Sequence, residues 1–285
     1  MKKAGLAVAL ILLAGCASAG AHVSAAKKVT ATSSTTTTTV PATTTSSTTV
    51  PATTTTTARP TTTTTRPPVR TAPACPSNLA ASIANTYSAH QLVTVESSGY
   101  ATDVATVTLW QKAGSCWQPA AGPWSGYIGY NGFSDHKREG DGTTPTGIYG
   151  FGPVIYGNAA DPGVHEAYHQ LVCGDWWDED PSSAEYNTFQ HWTANPCDSP
   201  PPWANGSEAL WTETKPYPSF AVIDYNTSPV VKGAGSGIFL HASTGGGTAG
   251  CVSVPLPDLD TFLRWMEPSQ DPLIVMGPAG EITRF

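Results

Sequence analysis

His241 and Cys251, near the end of the chain, have the residue types and spacing needed for nucleophilic acyl transfer. The run Gly237-Ile-Phe-Leu-His241-Ala-Ser-Thr-Gly-Gly-Gly-Thr-Ala-Gly-Cys251-Val-Ser-Val254 sets two strand-like pieces around a glycine-rich turn. His closes the first piece and Cys opens the second, so a hairpin-like path would bring the side chains together. The thiolate is the nucleophilic form of cysteine, and a nearby imidazole favours it. The glycines allow a tight backbone whose N–H groups can face a developing oxyanion. Local spacing alone leaves a plainer alternative equally open. A strand cysteine is often a small buried apolar residue, and a lone histidine a structural one.

A second motif competes. His165-Glu-Ala-Tyr-His169 fits the H-E-x-x-H zinc-peptidase pattern, with Glu166 in the place of the general base. That chemistry needs both imidazoles on one helix face and a third ligand, for which His191 is available. Asp161-Pro162-Gly163 in front and Cys173-Gly174 behind leave room for fewer than about three helical turns. The sequence therefore favours a loop packed by Tyr168 and the tryptophans, and no metal or other cofactor is expected.

The cysteines add a constraint. There are six, and Cys16 is separated from the rest by a Thr/Pro-rich stretch. The remaining five are an odd number, so one is expected to be free. Cys75 opens the region able to fold, and Cys116 follows the strand-like Val104–Trp110. Cys173 and Cys197 bracket a stretch rich in Trp, Pro and Asp. The expected pairs are Cys75–Cys116 and Cys173–Cys197, which leaves Cys251 free.

Short β-branched or aromatic runs have to position these residues: Gln91–Glu96, Val104–Trp110, Ser125–Tyr130, Gly147–Phe151, Phe220–Tyr225, Gly237–His241, Val252–Val254 and Leu273–Met276. A helical turn or two is expected after Pro76. A longer helix is expected over Pro257–Met266, where Leu259, Phe262, Leu263 and Met266 make an apolar stripe that reads as core packing. Tyr156–Tyr217 reads as a long irregular excursion over a mainly β domain.

Charge divides the chain. Residues 1–74 carry seven basic residues and no acidic one, whereas residues 75–285 hold the other seven basic and all 21 acidic residues, for formal charges of +7 and −14. So acidic a folding region repels phosphate backbones, and nucleic acid is not expected as a partner. All nine tryptophans lie beyond residue 100. The N-terminus pairs Lys2 and Lys3 with an apolar run from Ala4 to Ala14, too short for a membrane span, which reads as a signal-peptide core. It ends in Leu13-Ala14-Gly15-Cys16, which resembles the bacterial lipobox and implies cleavage before Cys16 and a diacylglycerol on its thiol. Cleavage at Ala17-Ser18-Ala19 is the simpler alternative, and either route exports the protein. From about Thr30 to Pro73 the chain is Thr with Pro, Ala, Val and Ser, a composition unable to bury a core. Such a spacer could extend to roughly 180 Å between Cys16 and Cys75. The expected division is a signal peptide over 1–15, a lipid-anchored disordered linker over 16–74 and a catalytic domain over 75–285.

His241 through Cys251-Val-Ser resembles the motif of the L,D-transpeptidase catalytic domain (the YkuD family), in which a His precedes a Ser/Thr-His-Gly-Cys turn. Upstream, Gly140-Asp-Gly-Thr-Thr-Pro-Thr-Gly147 is similar to that family's Thr-Pro-x-Gly strand entry. The resemblance covers roughly Trp124 to Met276 and suggests a cell-wall lipoprotein of the actinobacterial type. It implies a β-sandwich with one or two short helices. It also implies acyl transfer from peptidoglycan stem tetrapeptides, with Cys251 as nucleophile and His241 as base. Backbone N–H groups of Gly250 and Cys251 would hold the oxyanion, and a main-chain oxygen at Ala242 or Ser243 would fix the imidazole tautomer. Tyr130, His136, Arg138, Trp176, Trp177, Ser243 and Ser253 are the candidate substrate contacts, and carbapenems are candidate covalent inhibitors. The sequence departs from the family pattern at Ala249, where His is usual, and at Ser253, where Arg or Asn is common. Those departures motivate a further reading, a wall-binding module without activity. Hydrolysis of the thioester, an L,D-carboxypeptidase reaction, shares the first half of the chemistry.

Overall fold

The computed structural model describes residues 74–285. The signal peptide, the lipidation site Cys16 and the Thr/Pro-rich linker therefore lie outside the described residues.

The mainly β expectation holds. Among the described residues fifteen strands form: β1 Gln91–Ser97, β2 Val104–Ala113, β3 Cys116–Tyr127, β4 Phe133–Ser134, β5 Thr144–Pro145, β6 Gly147–Tyr149, β7 Phe151–Gly157, β8 Ala167–Gln170, β9 Asp175–Asp178, β10 Thr188–His191, β11 Glu208–Ala209, β12 Phe220–Ile223, β13 Phe239–Ala242, β14 Val252–Val254 and β15 Leu273–Pro278. Two α-helices accompany them, α1 Leu79–Ser82 and α2 Leu256–Trp265. Ten strands join in one sheet in the order β6-β15-β1-β2-β3-β14-β13-β12-β7-β8. The expected run Gly147–Phe151 is two strands in the structure. Gly150 alone separates β6, at one end of that order, from β7, near the other. A sheet whose first and ninth strands are joined by one residue cannot stay open, so it curls on itself.

Residue alternation then divides the interior. Along β12, β13 and β14, Ala221, Ile223, Leu240, Ala242, Val252 and Val254 join the main core with Leu259, Phe262, Leu263 and Met266 of the helical stripe. Successive strand side chains point to opposite faces. Phe220, Val222 and Phe239 accordingly face the other way and pack with Cys251, Tyr217 and Trp177 in a separate cluster. His241, two residues beyond Phe239, takes that face as well. The helix therefore determines which face of the sheet carries the chemistry, although it touches none of it.

The second face is covered by the stretch expected to be irregular. Within it β10, β9 and β11 form a small antiparallel sheet, with Glu208 opposite Trp177. Both expected disulfides are present, Cys75–Cys116 and Cys173–Cys197, and Cys251 is free. The second bridge closes the excursion beside Asp175. That carboxylate is fully buried and held by His169 Nε2 at 2.8 Å, His191 Nδ1 at 2.7 Å and the Val172 N–H at 2.8 Å. No helix among the described residues is long and apolar enough to cross a membrane.

Candidate active site

His241 lies on β13 and Cys251 directly precedes the neighbouring β14, but the two are not joined by the hairpin expected from sequence. β13 and β14 are parallel, with Leu240 opposite Val252 and His241 opposite Ser253. Parallel neighbours cannot be joined by a tight turn. The glycine-rich segment makes an excursion instead. Thr248 N–H donates to Ile128 O at 2.8 Å and Tyr130 N–H to Thr248 O at 2.8 Å, and the chain then returns to start β14. Continuing the register one step places Cys251 beside Phe239, whose N–H donates to Sγ at 3.3 Å. The thiol in turn donates to Gly237 O at 3.2 Å.

Both side chains are buried, with 8% of Cys251 and 6% of His241 exposed. Burial dominates their acid–base behaviour. It pushes the thiol far above the ordinary cysteine value, and Glu208 and Glu179 add to the rise, against the Phe239 N–H and Lys137, which oppose it. It also lowers the imidazole to about 4, although the hydrogen bond to Ala242 works the other way. The resting groups are thus a thiol and a neutral imidazole, not the thiolate expected of a cysteine paired with a histidine. His241 Nδ1 donates to Ala242 O at 2.9 Å, which leaves Nε2 with the lone pair a base needs. Tyr217 sets its ring edge-on to this imidazole, 5.4 Å between centroids, and limits how the imidazole can turn.

The upstream motif has a physical task. Thr144 is fully buried in β5; its Oγ1 accepts from Gly129 N–H at 2.7 Å and donates to Gly250 O at 2.7 Å. One hydroxyl therefore ties the residue before the nucleophile to the end of β3. Gly250 has φ +153°, and a Cβ there would meet Thr143 O at 3.0 Å, so no other residue fits without strain. Its N–H already donates to Thr248 Oγ1 at 3.1 Å, and Thr248 Oγ1 donates to Cys251 O at 2.6 Å.

Cys251 lines a cavity of about 560 Å³ with Ala249, Gly250, Gly237, Tyr217, Lys137, Glu139, Glu179 and Glu208 among its walls. The candidate contacts are distributed unevenly around it. The 134–139 segment reaches the cavity through Lys137 and Glu139, whereas His136 and Arg138 are exposed and outside its lining. Trp177 lies beneath it, edge-on to Phe239 at 5.0 Å, with its indole N–H on Asn187 Oδ1 at 3.0 Å. Trp176 packs on Trp211 and Trp203 in the excursion. Tyr130 is 56% exposed, its ring against Gly142. Ser243 is part-buried beyond His241 and accepts from Gly245 N–H at 3.1 Å. Ser253 is buried opposite His241 with its hydroxyl unpartnered.

The H-E-x-x-H residues are not arranged as the zinc motif requires. Ala167–Gln170 is a strand, so His165 and His169 are not one helical turn apart. His165 faces Glu267 at 3.5 Å, whereas His169 is bound to Asp175. Among the described residues no group of three or more His, Cys, Asp or Glu could hold a metal ion.

Glu179, Glu208 and Tyr217 were not legible as site residues, because they lie 34 to 72 positions before Cys251 in the excursion and no local spacing marks them. Burial raises Glu208 to about 7, against the hydrogen bond from Tyr217, with Glu213 adding to the rise. A carboxyl raised in the folded state contributes stability that is fully present below its ordinary value and is lost as pH rises toward 7. Relative to wild type, Glu208→Gln should therefore gain about 1–2 kcal/mol of stability between pH 5 and pH 8, after discounting for solvent screening. Urea unfolding at pH 5 and pH 8 checks this; an unchanged difference at the two pH values would contradict the assignment.

No curated protein and no solved structure matched the chain. Residues 119–275 match the family model of the YkuD L,D-transpeptidase catalytic domain, a stretch that runs from within β3 to within β15 and contains the Thr144 brace, His241 and Cys251. With that match spanning more than half of the chain, the protein belongs to the YkuD L,D-transpeptidase catalytic-domain family.

Proposed function

We propose that the protein is a cysteine acyltransferase of the cell wall that cross-links peptidoglycan stem peptides. The observation that carries this reading is the one free thiol among the described residues, which lines a cavity on the same sheet face as a neutral imidazole whose Nδ1 is tied to Ala242 O. Cys251 Sγ attacks the carbonyl of the L-centre at position three of a stem tetrapeptide while His241 Nε2 takes the thiol proton. The tetrahedral adduct expels the D-alanine amine, which recovers that proton, and a thioester remains. An amine of a second stem then attacks the thioester carbonyl and gives its proton to His241. The C–S bond breaks, the proton passes to sulfur, and a 3→3 cross-link is released. Water in place of the amine gives the hydrolytic product.

The N-terminal sequence supports export and a lipid anchor at Cys16, with the Thr/Pro-rich spacer holding the catalytic domain within the wall on the outer face of the cytoplasmic membrane. Carbapenems, which present an activated acyl group, are proposed to acylate the same thiol.

The test is intact-mass spectrometry of the full chain with disaccharide tetrapeptide and, separately, with a carbapenem, followed by peptide mapping. D-alanine release and adducts on the Cys251 peptide are expected. An adduct mapping elsewhere, or none with either reagent, overturns the proposal.

A further inference from the structure

The wall of the thiol cavity is acidic in a way the acyl-transfer steps do not require. Lys137, Glu139, Glu179 and Glu208 all line it. Three of these already have partners. Lys137 Nζ lies 2.8 Å from Asp141 Oδ1 and donates to Arg138 O at 3.2 Å. Glu139 accepts from Tyr186 Oη and from Ser236 Oγ. Glu208 receives the Tyr217 hydroxyl, 2.9 Å from each carboxylate oxygen.

Glu179 differs. Its backbone N–H is held by Ser207 Oγ at 3.0 Å, but no hydrogen bond among the described residues reaches its carboxyl, which is part-buried in the cavity wall. Its Oε1 lies so close over Gly237 that a Cβ there would fall 1.9 Å from it and would displace the carboxyl, while φ +59° favours glycine at this position. The carbonyl of that same Gly237 accepts the Cys251 thiol. An unpartnered carboxyl thus stands one residue from the nucleophile. β9 and β11 hold it beside Glu208, since Glu208 pairs with Trp177 in that small sheet.

A carboxyl partly withdrawn from water without a protein partner is costly to ionise, and like-charged neighbours add to the cost. Both effects push Glu179 well above the ordinary carboxylate range, with Lys137 opposing them. A cationic ligand removes the cost, and an ammonium group supplies three donors where none is now present. The one lysine in the wall cannot supply them, because its charge is already engaged by Asp141.

We propose that Glu179, flanked by Glu208, forms an ammonium subsite beside Cys251 that binds a primary amine of the substrate. This rests on the acyl-transfer reading for its occupant, which is either the acceptor amine that resolves the thioester or a side-chain amine of the acyl donor. In both cases the small sheet of the excursion acts as a specificity element laid over the catalytic face.

Full-length wild type, Glu179→Gln and Glu208→Gln are compared in three measurements. In the acceptor arm, a preformed acyl-enzyme is resolved by increasing amine acceptor or by water. An acceptor subsite predicts that Glu179→Gln raises the KM for the amine roughly 10–100-fold while hydrolysis is unchanged. In the donor arm, acylation is measured with a donor whose side-chain amine is free or acetylated. A donor subsite predicts that Glu179→Gln loses the preference for the free amine by about the same factor. The third measurement needs no thioester: calorimetric binding of the amine-bearing stem tripeptide and its acetylated form. Wild type should bind the free amine more tightly, Glu179→Gln should bind the two alike, and Glu208→Gln should fall between. If wild type forms no thioester, the acyl-transfer reading fails while calorimetry still decides the subsite. Glu179→Gln indistinguishable from wild type in all three measurements, with an unchanged melting temperature, overturns the proposal.

Discussion

Cys251→Ala should leave no acyl-enzyme detectable by intact mass and should cut D-alanine release by about 10⁴-fold or more, since no other group near the cavity can form the thioester. His241→Gln should slow acylation by about 10²–10⁴-fold without preventing it, because the amide has no lone pair basic enough to take the thiol proton. The imidazole matters here because the resting thiol is protonated. Burial holds it far above the ordinary value, so no standing thiolate survives loss of the base. Single-turnover acylation by a carbapenem measures both variants. Release of D-alanine by Cys251→Ala at the wild-type rate would remove the thiol from the mechanism, and unimpaired acylation by His241→Gln would remove the base.

The same variant carries a stability signature of defined sign. His241 titrates at about 4 in the folded protein against an ordinary 6.5, so the unfolded chain takes up the proton first. The stability of the neutral buried imidazole is present above pH 6.5 and is lost as pH falls toward 4, by about 3 kcal/mol in total. His241→Gln should lose less stability than wild type over that interval. The raised carboxyls of Glu208 and Glu179 act in the opposite sense in an overlapping window, so wild type alone shows only the difference between the two effects. For the free enzyme, the acid limb of carbapenem acylation should fall near pH 4, not near pH 6.5.

Legibility in the sequence followed the range of the physics involved. The strands, the α2 stripe, the two disulfides and the free cysteine could be read because alternation, helical spacing and parity are local or countable. The nucleophile and base shared a short run of sequence and were found there. The relation between them is not legible there, because glycines between two strand-like pieces suggest a hairpin, whereas β13 and β14 are parallel. What makes β13 and β14 parallel is the remote pairing of Thr248 with Ile128 and Tyr130. The Tyr156–Tyr217 excursion gave no periodic signal since its strands are four residues or fewer, so the carboxylates it brings to the thiol stayed hidden. His136 and Arg138 belong to the segment that reaches the cavity, but the chain turns Lys137 and Glu139 into it instead.

Thr144→Val should be the most damaging conservative substitution away from the reacting atoms. Valine keeps the volume and the β-branch, so packing and strand preference barely change. The hydroxyl it removes serves two buried backbone groups at once, Gly129 N–H and Gly250 O, each at 2.7 Å. Leaving a buried polar group unpaired costs about 1–3 kcal/mol, so both together predict a loss of about 2–5 kcal/mol in urea unfolding. The functional loss should exceed what instability explains. Gly250 holds φ +153° against Thr143 O, and Cys251 follows it directly, so slack at the Gly250 carbonyl moves the sulfur relative to His241. Displacement of a reacting atom by about 1 Å can cost roughly 10²-fold in rate. Carbapenem acylation by the folded Thr144→Val protein, measured well below its melting temperature, should therefore be slowed by about 10–100-fold. Thr144→Ser, which restores the hydroxyl without the methyl, should recover most of the rate while remaining less stable than wild type. A serine variant as slow as the valine one would show that the methyl packing of Thr144, and not its two hydrogen bonds, holds the nucleophile in place.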